Sequence, residues 1–217
     1  DDYAKQDSRD FALWKGYEPV DGDVYWETDI GKGRPGWHLE CSAMSLKYLG
    51  EEFDIHLGGG DLIFPHDQNE IAQTEGCTGH KLARYWLHSE FLMIDSDKMS
   101  KSLGNIYSLS DVIEQGWTPR EIRFALMGTH YRQQLNFTVE VLQAARNSLE
   151  RIDAFLRNLE FATGTGGEAD VKALLDRCEN QFRAGLDNDF NYAEAVAAIF
   201  NLIREGNSLI AEGRVGP

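Results

Sequence analysis

Residues 53–75 read FDIHLGGGDLIFPHDQNEIAQTE, and residues 85–94 read YWLHSEFLMI. The first stretch predicts a short strand over residues 53–56, a turn at the glycines and a helix from about Pro65 to Glu75, because proline suits the first turn of a helix. The second stretch contains another strand. A strand, a helix and a strand in this order predict part of a parallel α/β sheet, whose ligands bind beyond the strand ends.

Three possible metal ligands lie in and before this stretch. His66 and Glu70 are four residues apart, so a helix places them on one face. Cys41 stands upstream, in the segment GWHLECSAM of residues 36–44. A thiolate, an imidazole and a carboxylate are all zinc ligands, and three of them leave one position for another group. Taken singly, each residue also fits an ordinary role, as a small buried cysteine or as a surface His–Glu pair.

A second motif follows the second stretch. Residues 98–105 read KMSKSLGN, so two lysines stand three residues apart in a short polar segment after an apolar strand. Lysines on such a loop can follow negative charge as it moves onto a departing phosphate group. The plainer alternative is a solvated basic turn.

The lysine motif resembles the KMSKS loop of class I aminoacyl-tRNA synthetases. Together with Cys41, His66 and Glu70, the chain resembles cysteinyl-tRNA synthetases from about Asp10 to about Ile210. The resemblance implies an α/β fold, namely the C-terminal half of a Rossmann-type class I catalytic domain followed by an α-helical bundle.

The resemblance also implies an amino acid site. In that family the residues matching Cys41, His66 and Glu70 bind zinc, and the thiolate of the substrate cysteine adds to the metal. A soft thiolate is a better zinc ligand than an alcohol, so the metal separates cysteine from serine where an apolar pocket would not. Trp37 is expected to line one side of the amino acid pocket.

ATP binding is implied by two segments. The family places the glycine turn against the adenosine, and the matching residues here are Gly58, Gly59 and Asp61, with Asp61 directed toward the ribose. The loop residues Lys98, Met99, Ser100, Lys101 and Ser102 complete the ATP site. Lys98 and Lys101 are the expected catalytic residues, because they would stabilise the departing pyrophosphate, and Mg²⁺ would accompany the ATP. The implied reaction makes cysteinyl-adenylate and transfers cysteine to tRNA(Cys).

Four features depart from the family pattern. The family has a second His after His66, where this chain has Asp67. The chain contains no His-x-Gly-His string, and the fourth zinc ligand, a Cys from the same N-terminal half, is also missing, as is most of the anticodon-reading tail. We therefore expect a piece of a full synthetase whose partner is the missing N-terminal half, and which alone is inactive. A subunit of a split enzyme and a truncated paralogue are the alternatives.

Two other functions compete with this one. A ligase of the mycothiol-pathway type, which joins cysteine to an amino sugar, shares the lysine loop and the zinc site. The segment over residues 69–73 and the helices from residue 108 onward favour the synthetase. A zinc-binding module without catalysis is the second competitor.

Composition limits the classes of protein to which this chain can belong. The chain has 217 residues, 42% of them hydrophobic, and a net charge of −15. Residues 98–157 carry eight Lys and Arg against six Asp and Glu, so this least acidic segment is the one expected to face phosphates. Three widely separated cysteines form no disulfide framework and are typical of a reducing cytoplasm. No apolar run approaches the length of a membrane span.

The predicted helices and the resemblance together divide the chain into three predicted domains, over residues 1–107, 108–137 and 138–217. Residues 16–36 read as loop with one strand around residues 24–26. The predicted helices cover residues 37–49, 108–114, 119–128, 138–159, 171–186 and 193–211.

Overall fold

The computed structural model describes residue 7, residues 9–94 and residues 107–216, and it describes the backbone alone for residues 97–98. The chain divides into two compact units, residues 1–89 and residues 90–217. We name these the first unit and the second unit. The three domains that the sequence predicts have other boundaries and stay a prediction. No helix in the described part of the chain is long and apolar enough to cross a membrane.

The first unit opens with a small antiparallel sheet. Its strands are β1 (Trp14–Gly16), β2 (Trp26–Thr28) and β3 (Gly31–Pro35), in the order β1-β3-β2. The predicted loop over residues 16–36 is therefore wrong at β3, whereas the strand predicted around residues 24–26 overlaps β2 at Trp26. These strands are short, and glycines interrupt their alternation, so no period-2 pattern marks them. The sheet also holds the Lys32 ammonium 3.8 and 3.7 Å from the ring centroids of Tyr17 and Tyr25.

A parallel strand pair forms the rest of the first unit. Helix α1 (Trp37–Leu49) ends at Gly50, as predicted, and is followed by β4 (Phe53–Gly59). A wide helical turn, Ile63–Asp67, leads into α2 (Gln68–Thr78), which packs against α1. The chain then returns as β5 (Ala83–Ser89), parallel to β4. The predicted strand, helix and strand are confirmed, but β4 includes Gly58 and Gly59, which were expected in a turn.

The two faces of the β4–β5 pair differ. One face carries His56 and Trp86, whose rings stack with centroids 4.2 Å apart. The other face exposes apolar side chains, with Ile55 46%, Leu57 70% and Tyr85 66% exposed. Parallel sheets are normally covered on both faces, so this exposed face is unusual.

The first unit has a polar interior. Among the described residues its buried apolar side chains are Leu82 and Ala83 alone. Its buried polar side chains are more numerous and comprise His38, Ser42, His66, Asp67, Asn69, Glu70 and Thr74. The interior of this unit therefore contains the groups of a functional site rather than an ordinary hydrophobic core.

The second unit begins with a three-stranded sheet. Strands β6 (Leu92–Ile94) and β7 (Asp97–Lys98) are antiparallel, and β8 (Leu135–Phe137) lies parallel to β6 on its other side. The lysine motif thus begins at the end of β7. Its residues 99–105 lie outside the described part of the chain.

Five helices complete the second unit, and their positions agree with the predicted ones. They are α3 (Leu109–Glu114), α4 (Pro119–Met127), α5 (Val139–Glu160), α6 (Glu168–Asp187) and α7 (Tyr192–Ala211). Ser108 and Thr118 cap α3 and α4, as expected of these residue types. Helices α6 and α7 approach closely at Gly185, where an added Cβ would lie 2.6 Å from the backbone nitrogen of Ala195.

A part-buried ion pair joins α4 to α5. The Arg146 guanidinium donates to Glu121, with Nε 2.6 Å from Oε1, and its carbon lies 4.2 Å from the ring centroid of Trp117. The Glu121 carboxylate also accepts the backbone N–H of Thr118. These contacts lower the pKa of Glu121 to about 2, and the contact with Arg146 has the largest effect.

This ion pair predicts an acid-sensitive contribution to stability. Because the pKa of Glu121 is lower in the folded than in the unfolded chain, its contribution is complete above about pH 5 and is lost as the pH falls toward 2. We expect Glu121→Gln to lower the free energy of unfolding by about 2 kcal/mol at pH 7. Urea unfolding at pH 7 and pH 2.5 measures this, with exposed Glu114→Gln as the control. A difference that persists unchanged at pH 2.5 would contradict it.

Candidate metal centre

The three predicted metal ligands converge inside the first unit. Cys41 is on α1, His66 ends the turn before α2, and Glu70 is in the first turn of α2. One ligand atom from each residue lies within 4.8 Å of the other two. His66 and Glu70 are buried, with 4% and 0% of their surfaces exposed, and Cys41 is half-buried. The packing of α1 on α2 brings the thiol to the helical His–Glu pair.

The ligand atoms of His66 and Glu70 face each other at short range. His66 Nε2 lies 2.6 Å from Glu70 Oε1. The ring N–H is not directed at this oxygen, which is buried and has no hydrogen-bond partner among the described residues. A buried carboxylate oxygen without a partner is costly. A cation bound to this oxygen would satisfy it, and a thiol, an imidazole and a carboxylate are a donor set that fits a metal ion.

A second histidine holds the His66 ring. His66 Nδ1 lies 2.7 Å from Nδ1 of His38, which is also buried. One of the two nitrogens must donate and the other must accept. If His66 Nδ1 carries the proton, its Nε2 keeps a lone pair directed toward the Cys41–Glu70 space. Metal-binding histidines are commonly fixed in this way by a partner on the other ring nitrogen.

The Cys41 thiol is a poor acid in the metal-free protein. Burial, followed by the negative charge of Glu70, raises the pKa of Cys41 to about 11. The thiol is therefore protonated at neutral pH unless a cation displaces the proton. A nucleophilic cysteine has a lowered pKa instead, and a bound metal ion would lower the pKa of this thiol by displacing its proton.

His56 completes the surroundings of Glu70, and sequence reasoning missed it. Its Nε2 lies 2.7 Å from Glu70 Oε2 and is aligned as a donor, and this hydrogen bond raises the pKa of His56. His56, Asp67 and Glu70 also form a possible metal-ligand group. The aligned hydrogen bond instead indicates that His56 orients Glu70 from outside, since it occupies the second oxygen while the first remains free. The available signal was a histidine on the strand immediately before the glycines.

Asp67 is an interior residue and belongs to the same polar cluster. It is 1% exposed, and its Oδ2 accepts a hydrogen bond from His88 Nε2 at 2.6 Å. Its charge contributes to the raised pKa of both Cys41 and His56. The acidic residue therefore makes the interior more favourable to a cation. His88, at the end of β5, was also missed by sequence reasoning.

Trp37 stands at the open side of the cluster. It is the first residue of α1 and is 55% exposed. Its ring centroid lies 4.2 Å from that of His66. One exposed aromatic face beside a candidate metal ligand is suited to contact a small molecule bound there.

The predicted ATP-binding glycines lie at the carboxyl end of β4. Gly58 and Gly59 are its last two residues and pair with His88 and Ser89 of β5. The turn itself follows them, with Asp61 exposed within it. A Cβ at Gly59 would lie 2.6 Å from Asp61 Oδ1, so the absent side chain lets the turn fold back closely. Ligands of parallel sheets bind at such strand ends.

The lysine residues belong to the second unit. The backbone of Lys98 is the end of β7, paired with Met93 of β6. Met99, Ser100, Lys101 and Ser102 lie outside the described residues, so their predicted ATP contacts stay predictions.

Comparison with known families finds two matches. The family "tRNA synthetases class I (C) catalytic domain" matches residues 1–147, and the DALR domain matches residues 181–215. Relatives named cysteine–tRNA ligase include those of Solibacter usitatus and Koribacter versatilis, each 50% identical over 98% and 99% of this chain. The chain spans 46% and 43% of the length of these two relatives.

Solved structures show the same fold. A leucyl-tRNA synthetase of Agrobacterium radiobacter, in a ternary complex with tRNA and LeuAMS, has a TM-score of 0.67 at 16% identity and covers 92% of this chain and 32% of its own. Methionyl-tRNA synthetase of Mycobacterium tuberculosis, bound by methionyl-adenylate, has a TM-score of 0.56 at 20% identity over 73% of this chain and 34% of its own.

Proposed function

The chain belongs to the class I (C) tRNA synthetase family, and from this premise we propose that it forms part of a cysteine–tRNA ligase. The full enzyme would activate cysteine with ATP and transfer it to tRNA(Cys). The observation that carries the proposal is the convergence of Cys41, His66 and Glu70 around an unpartnered buried carboxylate oxygen. The identity of 50% to cysteine–tRNA ligases over nearly the whole chain supports it.

We propose that Cys41, His66 and Glu70 bind Zn²⁺. When bound, zinc would supply a soft Lewis acid that prefers the thiolate of cysteine to the hydroxyl of serine. Glu70 would ligate through Oε1 while His56 holds Oε2, and His66 would ligate through Nε2 while His38 holds Nδ1. The open face of Trp37 would contact the substrate beside His66 and exclude water from it.

The chemistry of activation is a transfer of the adenylyl group. The cysteine carboxylate attacks the α-phosphorus of Mg²⁺-bound ATP, a new C–O–P linkage forms, and the bond to pyrophosphate breaks. Lys98 and Lys101 would stabilise the negative charge on the leaving pyrophosphate, with Met99, Ser100 and Ser102 completing the loop. Gly58 and Gly59 would lie against the adenosine and Asp61 near the ribose. Such catalysis depends on positioning and charge stabilisation.

A direct assay tests this function. The full-length protein should catalyse cysteine-dependent exchange of pyrophosphate into ATP and should charge tRNA(Cys). Serine should give no exchange above background, and an amino sugar should not replace tRNA as the acceptor. The 217-residue chain alone should be inactive. Exchange that requires another amino acid, or transfer to the amino sugar, would refute the proposal.

We further propose that the other half of the catalytic domain is the partner of this chain. The exposed face formed by Ile55, Leu57 and Tyr85 supports this, because a parallel pair needs cover on both sides. Within the described residues β4 and β5 pair only with each other, so each strand has a free edge. A further strand and its helix would cover the face and extend the sheet. The relatives, about twice as long, contain enough chain to do so.

The exposed face gives a prediction. In the full-length protein, Leu57→Glu should lower the free energy of unfolding by about 2 kcal/mol, the value of burying one leucine side chain. In the 217-residue chain the same change should have little effect, since Leu57 is 70% exposed. Chemical denaturation of both proteins measures the difference. Leu175→Glu, at a 51% exposed position on α6, is the matched control. Equal effects of Leu57→Glu in both proteins would contradict the proposed cover.

We propose a cytoplasmic location for the protein. All three cysteines, Cys41, Cys77 and Cys178, are free thiols. A reducing compartment keeps such cysteines, and a thiolate metal site, intact.

A further inference from the structure

The turn between α6 and α7 has a strained backbone. Asp189 and Phe190 both adopt the left-handed region, with φ of 55° and 56°. Two successive side-chain-bearing residues in this region are unfavourable and persist only where surrounding contacts fix them. Phe190 is 53% exposed, so packing of its side chain does not fix this turn.

Three consecutive residues from another part of the second unit hold Asp189. Tyr131 Oη donates to Asp189 Oδ1 at 2.6 Å, and Arg132 Nε lies 2.8 Å from Asp189 Oδ2. His130 Nε2 donates to the backbone carbonyl of Asp189 at 2.9 Å. Both oxygens of the carboxylate and the carbonyl of one residue are thus bound by residues 130–132. We name this set of contacts the Asp189 clasp.

The clasp continues into the sheet that bears the lysine motif. The backbone carbonyl of Tyr131 accepts the N–H of Glu90 at 2.8 Å. Glu90 leads directly into β6, and residues 130–132 lead into β8, the strand parallel to β6. Strand β7, which ends at Lys98, pairs with the opposite edge of β6. One short segment therefore bonds to the helical turn on one side and to the start of the lysine-bearing hairpin on the other.

We propose that Asp189 is a positioning residue for the β6–β7 hairpin, through Tyr131 and Arg132. This inference rests on the proposed function, because the hairpin matters only if Lys98 and Lys101 act on ATP. The clasp fixes the segment that anchors Glu90 and so fixes the direction from which the chain enters β6. Without it, the strained turn relaxes, and the hairpin loses a rigid support. The helical bundle is thereby connected to the backbone of β7 through contiguous hydrogen bonds.

The test uses single-turnover adenylate formation by the full-length protein. Asp189→Ala should slow this step roughly tenfold, which is the scale of a typical coupling between sites. It should also raise the KM for ATP. The affinity for cysteine should stay unchanged. Asp189→Asn should restore most of the rate, since asparagine keeps an acceptor for Tyr131 and tolerates the left-handed region. Asp187→Ala, at the exposed last residue of α6, is the control and should behave as wild type.

Tyr131→Phe provides a second test that leaves the turn residues unchanged. It should slow adenylate formation severalfold, and its effect should be absent when Asp189 is already alanine, because both changes break one contact. Two results would overturn the proposal. In the first, Asp189→Ala and Tyr131→Phe both form the adenylate at the wild-type rate. In the second, the rate falls and the affinity for cysteine falls equally. A wild-type protein without cysteine-dependent exchange would instead refute the proposed function, so the two failures are distinguishable.

Discussion

Replacing Glu70 by glutamine is expected to lower the zinc affinity of the full-length protein by more than about 100-fold, since loss of an outer partner of a metal ligand alone costs about 10- to 100-fold. Glutamine is of similar size but carries no charge, and it offers only one carbonyl oxygen where His56 and the cation each need one. The cysteine-dependent rise in melting temperature should disappear with the metal. Zinc content after dialysis against a chelator, together with thermal unfolding with and without cysteine, measures both effects.

The control for this change lies on the same helix. Glu75→Gln alters an exposed carboxylate of α2 and should keep both zinc and the response to cysteine. His56→Gln should give a smaller loss of zinc than Glu70→Gln, because His56 contacts Glu70 rather than the proposed ion. If Glu70→Gln retained zinc as well as Glu75→Gln does, Cys41, His66 and Glu70 would not be a metal site.

Replacing Lys101 by alanine is expected to slow adenylate formation by on the order of 100-fold or more, the scale of losing one charge-stabilising donor. The substitution leaves the amino acid site untouched, so zinc content and cysteine affinity should not change. Lys101→Arg should recover part of the rate, since a cation remains but its planar head has different geometry. Single-turnover formation of cysteinyl-adenylate measures the step directly.

Lys81→Ala, at an exposed lysine of the first unit, is the matched control for loss of one positive charge. It should leave the single-turnover rate unchanged. An unchanged rate in Lys101→Ala would remove this lysine from the proposed role. An equal fall in the rate with both substitutions would indicate that net charge, rather than the loop, controls the step.

Local patterns predicted the helices well. Helix α1 ends at Gly50 as expected, and Ser108 and Thr118 act as caps, because these signals depend only on neighbouring residues. The His66–Glu70 spacing likewise follows from one helix. Strands β1 and β3 of the antiparallel sheet were missed because they are three and five residues long, and pairing rather than their own residues stabilises them.

The residues around the candidate metal centre could not be predicted from the spacing of residues in the sequence. His38, His56 and His88 come from a helix and two strands, and only the packing of those elements brings them to His66, Glu70 and Asp67. The position of a histidine in the sequence does not indicate which residue its ring will contact. The division between Ser89 and Glu90 was also missed, since no glycine or proline stands there to indicate a boundary.

The polar interior of the first unit has a consequence for how the molecule responds to heat. With Leu82 and Ala83 as its described buried apolar side chains, this unit gains little from the hydrophobic effect, whereas the second unit buries an extensive apolar cluster around Val112, Trp117 and Leu142. A bound metal or a covering partner would therefore add more to the stability of this unit than to that of the second unit. Calorimetry should accordingly resolve two melting events, of which only the earlier shifts upward on loading with zinc.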